Sequence, residues 1–382
     1  MRAPVRPSRT RGYTDAYLVT IIFSRHVQGS ENSTQRLIVK VQGRETSEPA
    51  RHERALRSNR SFAARHLVRQ PFARQDVDED RIMTFQEVAH DGGPVTTMND
   101  IDEEFLVQAF TVVMDRVLND WNQTPADAGR IDRPVGITTV GAYLRGELAV
   151  ADALDELPRR VAHAGLLDQS SDWMIIDGVV VPNPLRLLDP ESPFAGITIN
   201  YIQGYAHGDL HGANIIIPLD GAPRPDAFRL VDLSAFEREA PLSRDLVGLL
   251  LTTVLRHVAL RLATEGSGLS ATQAEALLHK LLHPVVSQPS PALPRLLDQL
   301  VNAAHWLGLS VAEGAWRLEW RTQYRLSLIS QALICTTFDN LCDSGRRWCF
   351  RLAAEAYREE FFPSTMGPAP DGLPVLPRLN AP

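Results

Sequence analysis

Hydrophobic positions change period along the chain. Tyr17–Ser24 and Arg36–Gln42 are rich in Val, Ile and Leu, and the polar stretch between them supplies Gly29, Asn32 and Ser33. That pattern predicts two strands joined as a hairpin. Ser47–His66 has helical spacing, with Ala55, Leu56, Phe62 and Ala63 on one face, and Arg81–Ala89 reads as a strand that stops at Asp91-Gly92-Gly93-Pro94. Beyond Thr96 the period becomes helical over Ile101–Trp121, Val140–Leu148 and Val150–Leu166. Trp173–Pro182 and Thr198–Leu233 revert to short β-type runs, and Asp245–Phe362 returns to long amphipathic helices. Six prolines in the last twenty residues, Pro363–Pro382, predict a tail without regular structure. The pattern divides the chain into a small β-rich segment 1–95, a larger mainly helical segment 96–362 and the tail 363–382.

A length of 382 residues suits two lobes, and 44% hydrophobic with 22% charged residues is ordinary for a globular chain. A formal net charge of −7 argues against nucleic acid as the main partner, since phosphate backbones need a basic face. No apolar run reaches the length of a membrane span, and Asp15, Arg25 and His26 break the pattern that a leader peptide needs around Ala16–Ser24. Three cysteines cannot build a disulfide scaffold, so a cytoplasmic, reducing location is expected. Among the 39 basic residues only Lys40 and Lys280 are lysine. In a chain that otherwise uses arginine, a lysine calls for a chemical reason.

The densest chemistry lies in His207-Gly208-Asp209-Leu210-His211-Gly212-Ala213-Asn214, which runs into the apolar Ile215–Ile217, with Asp232 in Leu230-Val231-Asp232-Leu233 eighteen residues after Asn214. Asp, then Asn five residues on, then Asp at the end of an apolar strand is the order that metal-dependent phosphoryl transfer requires. Asp209 would accept the acceptor's proton, while Asn214 and Asp232 would hold Mg²⁺, a hard cation that takes oxygen ligands and shares its shell with phosphates.

These residues resemble the catalytic loop and metal-binding segment of aminoglycoside phosphotransferases, choline kinases and related small-molecule kinases. The resemblance implies an α+β, bilobal protein-kinase-like fold with a small β-rich N-lobe that binds nucleotide and a larger mainly helical C-lobe. ATP and Mg²⁺ are the implied cofactors, a hydroxyl-bearing small molecule the implied acceptor, and Asp245 the implied brace of the catalytic loop, although a carboxylate opening a helix also has a plain capping role. Lys40, closing Leu37-Ile38-Val39-Lys40, takes the third-strand position of the phosphate-binding lysine.

Glu48 and Glu53 compete as its partner. At 100° per residue, the apolar face points about 20° from Glu48 and about 120° from Glu53, which favours Glu48. Gly12 is the single glycine of a reduced phosphate-covering loop, and the backbone around Gln86 and Val88, where the lobes would join, is the expected edge for adenine. His207 and His211 are read as supports of the loop rather than a metal pair. Cys335, Cys342 and Cys349 are assigned to core packing, with a helix break at Asp343-Ser344-Gly345; Trp316, Trp320 and Tyr324 are assigned to a core stripe rather than an aromatic wall.

A looser similarity links Trp316–Leu328 and Ser243-Arg244-Asp245-Leu246 to kinase-like domains of bacterial conflict and signalling effectors. The leading expectation is an ATP- and Mg²⁺-dependent phosphotransferase. Its alternatives are a nucleotide-binding pseudokinase that acts on a protein partner, and a kinase fold that transfers another group, such as a nucleotidyl moiety, to a protein.

Overall fold

Leu37 and Val39 are buried while Ile38 and Lys40 are only partly so, the period of two that seats one face of a strand on a core. In the computed structural model, which describes residues 10–11, 17–25, 33–122, 133–166, 171–265, 268–284, 291–312 and 317–362, this run lies within β3 (Ser33–Gly43). With β1 (Thr10–Arg11), β2 (Tyr17–Arg25), β4 (Phe72–Asp76) and β5 (Arg81–Glu87) it forms an antiparallel sheet in the order β1-β2-β3-β5-β4. The predicted hairpin is β2 and β3, with Leu18 opposite Lys40. Strand β4 has no counterpart in the sequence reading, because all five of its residues are exposed and leave no alternation to detect.

Ser47–His66 forms two helices where one was predicted: α1 (Glu48–Ser58) and α2 (Arg60–His66). Asn59 between them is extended, with φ −133° and ψ 106°, and its side chain accepts a hydrogen bond from Phe62 N at 3.1 Å, so it caps a new helix instead of continuing the old one. The Asn59 amide nitrogen donates to Asp120 O at 2.8 Å. Asp120 lies in the π-helical turn Arg116–Trp121 that prolongs α3 (Glu103–Asp115). Trp121 stacks on Phe62 with ring centroids 4.8 Å apart and donates from its indole nitrogen to Ser58 Oγ at 2.7 Å. Phe62, Trp121, Phe228 and Phe236 are fully buried, and their rings centre the core of this unit.

The chain divides into two compact units, Met1–Gln123 with His207–Arg238 and Thr124–Ala206 with Glu239–Pro382. The first therefore contains the His207–Asn214 loop beside the sheet. In it, β6 (Val95–Thr97) pairs with a later strand, Ile215–Asp220, which also pairs with the short strands Ala222–Pro223 and Arg229–Leu230, with Ile215 opposite Leu230.

In the second unit β7 (Val135–Thr139) pairs with the strand Thr198–Ala206, and Trp173–Ile176 forms a hairpin with Val179–Pro182 across Asp177 and Gly178, both at positive φ. Helix α4 (Val140–Val150) stops where Asp152 turns left-handed at φ 51°, and α5 (Leu157–His163) restarts with Pro158 in its first turn, so the predicted helix Val150–Leu166 is realised only over its middle. Among the described residues five helices follow in this unit: α6 (Arg244–Glu265), α7 (Ala271–Leu282), α8 (Arg295–Val311), α9 (Arg317–Thr336) and α10 (Asp343–Phe361). Among them Gln323 of α9 is buried and bonds Ile202 in both directions, accepting from its N at 2.8 Å and donating to its O at 3.0 Å.

Trp320 and Tyr324 are buried, as a core stripe requires; Trp316 lies outside the described residues. Cys335 and Cys349 are buried, but Cys342 is exposed at the cap of α10, and Asp343-Ser344-Gly345 begins that helix instead of breaking one. The α+β class expected from the sequence is the class observed. Among the described residues, no helix is long and apolar enough to cross a membrane.

Candidate active site

Strand β3 presents Lys40 between Leu18 of β2 and Thr84 of β5. Its Nζ lies 2.6 Å from Glu48 Oε2 and 3.7 Å from Asp232 Oδ1. Glu48 is 5% exposed at the opening of α1, whereas Glu53 is exposed and pairs with Arg57 one helical turn away. Burial pushes the Glu48 carboxyl above the usual carboxylate range, and the adjacent ammonium offsets this only in part. A desolvated carboxylate with a cation at hydrogen-bond distance is a charge-assisted pair held in a low-dielectric setting.

Asp232 stands between the strand Arg229–Leu230 and a tight turn over Leu233–Ala235. Its backbone is left-handed, with φ 56° and ψ 66°, a conformation that aspartate tolerates better than most residues but that still costs energy. Burial alone would raise its carboxyl, yet the Lys40 charge and hydrogen bonds from Ser234 leave it below the ordinary range. Its Oδ1 is buried and accepts no hydrogen bond among the described residues. A buried, ionised oxygen without a donor is what a cation site requires.

The loop before it is held by its own residues. His207 is fully buried and its Nε2–H donates to Val231 O at 2.8 Å, next to Asp232. Asn214 donates from Nδ2 to Asp209 O at 2.9 Å, and its own carbonyl accepts from Val231 N at 3.1 Å. Because Asp209 O can only accept, the amide nitrogen must face it, which leaves the Asn214 side-chain oxygen as the atom a cation would take. His211 Nε2 is 3.2 Å from Asn214 Nδ2 and 3.7 Å from Asp209 Oδ2, and burial lowers the affinity of this imidazole for a proton. The Asp209 carboxylate is 59% exposed.

The two glycines of the loop meet different neighbours. Gly208 has φ +87°, and a Cβ there would sit 2.1 Å from Ala235 O; at Gly212 a Cβ would sit 2.3 Å from Asn99 Oδ1. At Gly208 the loop thus approaches the backbone that follows Asp232 too closely for any side chain.

Gly12 lies outside the described residues. Gln86 sits in β5 opposite Ile38, and Val88 follows the end of that strand. Asp245 is buried in the first turn of α6, in the second unit.

Two residues of α1 escaped the sequence reading. Arg51 Nη1 donates to Ser234 O at 2.7 Å, and His52, 1% exposed, donates from Nε2 to Val68 O at 3.0 Å. They lie three and four residues after Glu48, hence on the same face, and that spacing was the available signal.

Asp232 and Asn214 supply one carboxylate and one amide oxygen, hard donors that fit Mg²⁺ if phosphates and water complete its shell. Among the described residues no group of three or more His, Cys, Asp or Glu side chains could hold a metal ion on its own.

No protein-family model matches the chain, and no curated protein matches it in sequence. Among solved structures, it is similar to a Ralstonia eutropha JMP134 protein named as a candidate aminoglycoside phosphotransferase, at 10% identity and a TM-score of 0.44, over 94% of each chain. It is also similar to a type VIII aminoglycoside-3'-phosphotransferase, at 15% identity and a TM-score of 0.35, over 80% of this chain and 92% of that one. At these values the likeness carries no inference about chemistry, which must come from the site itself.

Proposed function

We propose that this protein is a phosphotransferase that moves the γ-phosphoryl group of ATP to a hydroxyl of a small molecule, with Mg²⁺ as its metal. One observation carries the reading: Lys40 Nζ lies between Glu48 at 2.6 Å and Asp232 at 3.7 Å, in the same unit as Asn214 and Asp209. A lysine so placed offers a point charge to the phosphates, and Glu48 fixes its direction. Asp232 Oδ1 and the Asn214 side-chain oxygen would hold Mg²⁺, which supplies charge neutralisation on the phosphate oxygens. Asp209, exposed on a loop whose backbone Asn214 anchors, accepts the proton of the acceptor hydroxyl. The acceptor oxygen bonds to the γ-phosphorus as the bond to the β–γ bridging oxygen breaks, and ADP leaves with that bond's electrons. His207 and His211 orient the loop, and the backbone near Gln86 and Val88 offers the edge for adenine.

The deciding experiment is a melting series with ATP, with and without Mg²⁺. The wild type should be stabilised by ATP only when the divalent ion is present. Asp232→Asn keeps the side-chain shape and the tolerance for left-handed backbone but removes the charge, and should abolish that stabilisation. Equal stabilisation of the two proteins would overturn the metal assignment.

A further inference from the structure

On the first unit, away from Lys40 in sequence and in its lining, a cavity of about 460 Å³ is walled by Arg65, His66, His90, Arg116, Asp226 and Arg229 among others. That volume is within the range of small-molecule sites. Its three guanidinium groups come from three separate elements, Arg65 from α2, Arg116 from the π-helical turn and Arg229 from the strand Arg229–Leu230. One carboxylate, Asp226, shares the lining, and it is engaged by Arg224 at 3.2 Å. Asp120, outside the lining, takes Arg116 at 2.7 Å and lies 3.8 Å from Arg65. The wall is therefore cationic.

Two of its side chains, Arg229 and His66, are held by the surrounding backbone. Arg229 is pinned where α2 ends, its Nη1 donating to Ala64 O at 2.8 Å and to Leu67 O at 3.2 Å. His66 is fixed by donation from Nδ1 to Phe228 O at 3.1 Å and by stacking on the Phe228 ring, with centroids 4.3 Å apart. Two irregular backbone features border the same space, the left-handed His90 at φ 57° and the π-helical turn that begins at Arg116. Features of both kinds concentrate at functional sites.

We propose that this cavity binds a small phosphate-bearing anion. The lining offers three guanidinium groups, each able to donate to several acceptor oxygens of a phosphate group, and the fixing of Arg229 beforehand lowers the entropic cost of binding. The proposal does not depend on the phosphotransferase reading. The strand that carries Arg229 does lead through Val231, bonded to Asn214 O, into Asp232, so a bound anion would act on the strand behind the proposed metal ligands.

The test is calorimetric titration of the full chain with inorganic phosphate in the presence of EDTA. Wild type and Lys40→Met should both show saturable binding, and Arg65→Gln/Arg116→Gln should bind at least about tenfold more weakly, as expected for losing charge-assisted hydrogen bonds. Melting temperature without phosphate checks that the double variant is folded. If it is not, Arg65→Gln alone changes a half-exposed surface side chain and should still weaken binding. Absence of saturable binding to the wild type overturns the proposal. So does unchanged affinity in the arginine variant, or loss of binding in Lys40→Met with retention in the arginine variant, which would place the phosphate beside Lys40.

Discussion

Arg51 Nη1 donates to the backbone carbonyl of Ser234 at 2.7 Å, two residues beyond Asp232 and one helical turn from Glu48. This bond ties the helix that orients Lys40 to the turn that carries the proposed metal ligand. Arg51→Met keeps most of the aliphatic stem and removes the donor. The melting temperature without ligand should fall modestly, since one bond from a charged donor contributes about 1.5–3 kcal/mol, while stabilisation by ATP and Mg²⁺ should fall by a larger share. An equal loss with and without nucleotide would reduce Arg51 to a packing role.

Lys40→Arg tests the rarest residue choice in the chain. A planar guanidinium cannot reproduce a point charge 2.6 Å from Glu48 and 3.7 Å from Asp232. Nucleotide binding should weaken roughly 10- to 100-fold, the cost of one misplaced charged hydrogen bond. Glu48→Gln should show a milder defect and Glu53→Gln none, because Glu53 is engaged by Arg57 at the surface. Titration with a fluorescent ATP analogue separates the three.

Asp209→Asn replaces a proton acceptor by an amide of nearly the same shape. The Asn214 bond to Asp209 uses the backbone carbonyl, so the loop should keep its form. Turnover in a coupled ADP-release assay should drop by roughly 10²–10⁴-fold with nucleotide affinity preserved. Unchanged turnover would show that Asp209 is not the base.

Gly208→Ala should destabilise by about 2 kcal/mol or more in denaturant unfolding, because the positive φ and the 2.1 Å approach to Ala235 O act together. Gly146→Ala is the control. It lies exposed in α4 with nothing within 4 Å of the added carbon, and the change should stabilise by up to about 1 kcal/mol.

His52 and His66 give the fold a pH dependence. Burial lowers each to about 4 from an ordinary 6.5, against the opposing pull of the Val68 and Phe228 carbonyls. Between pH 6.5 and 4 the unfolded chain binds protons that the folded chain does not, so stability should decline as pH falls through that window and be fully present above it. His52→Gln/His66→Gln should flatten the decline in urea midpoints measured at pH 7, 5.5 and 4.5. A parallel slope in that variant would assign it to other groups.

Alternation at Leu37–Lys40, the run Ile215–Ile217 and the helical spacing of Ala55, Phe62 and Ala63 specified strands and helices by themselves, because burial on one face leaves a period in the sequence. The helix phase likewise separated Glu48 from Glu53, since 100° per residue is a local rule. Strand β4 and the break at Asn59 left no such trace: the first is exposed on both faces, and the second depends on a bond to Asp120, sixty-one residues away. The spacing of Asp209, Asn214 and Asp232 was readable because each stands at a fixed distance from its neighbours in one loop and strand. Only the tertiary structure could bring Asp232 to 3.7 Å from Lys40, aim Arg51 at Ser234, and make Gly208 indispensable through Ala235. Each of these rests on a contact between distant segments, and a contact of that kind is set by how the elements pack and not by the order of the residues within any one of them.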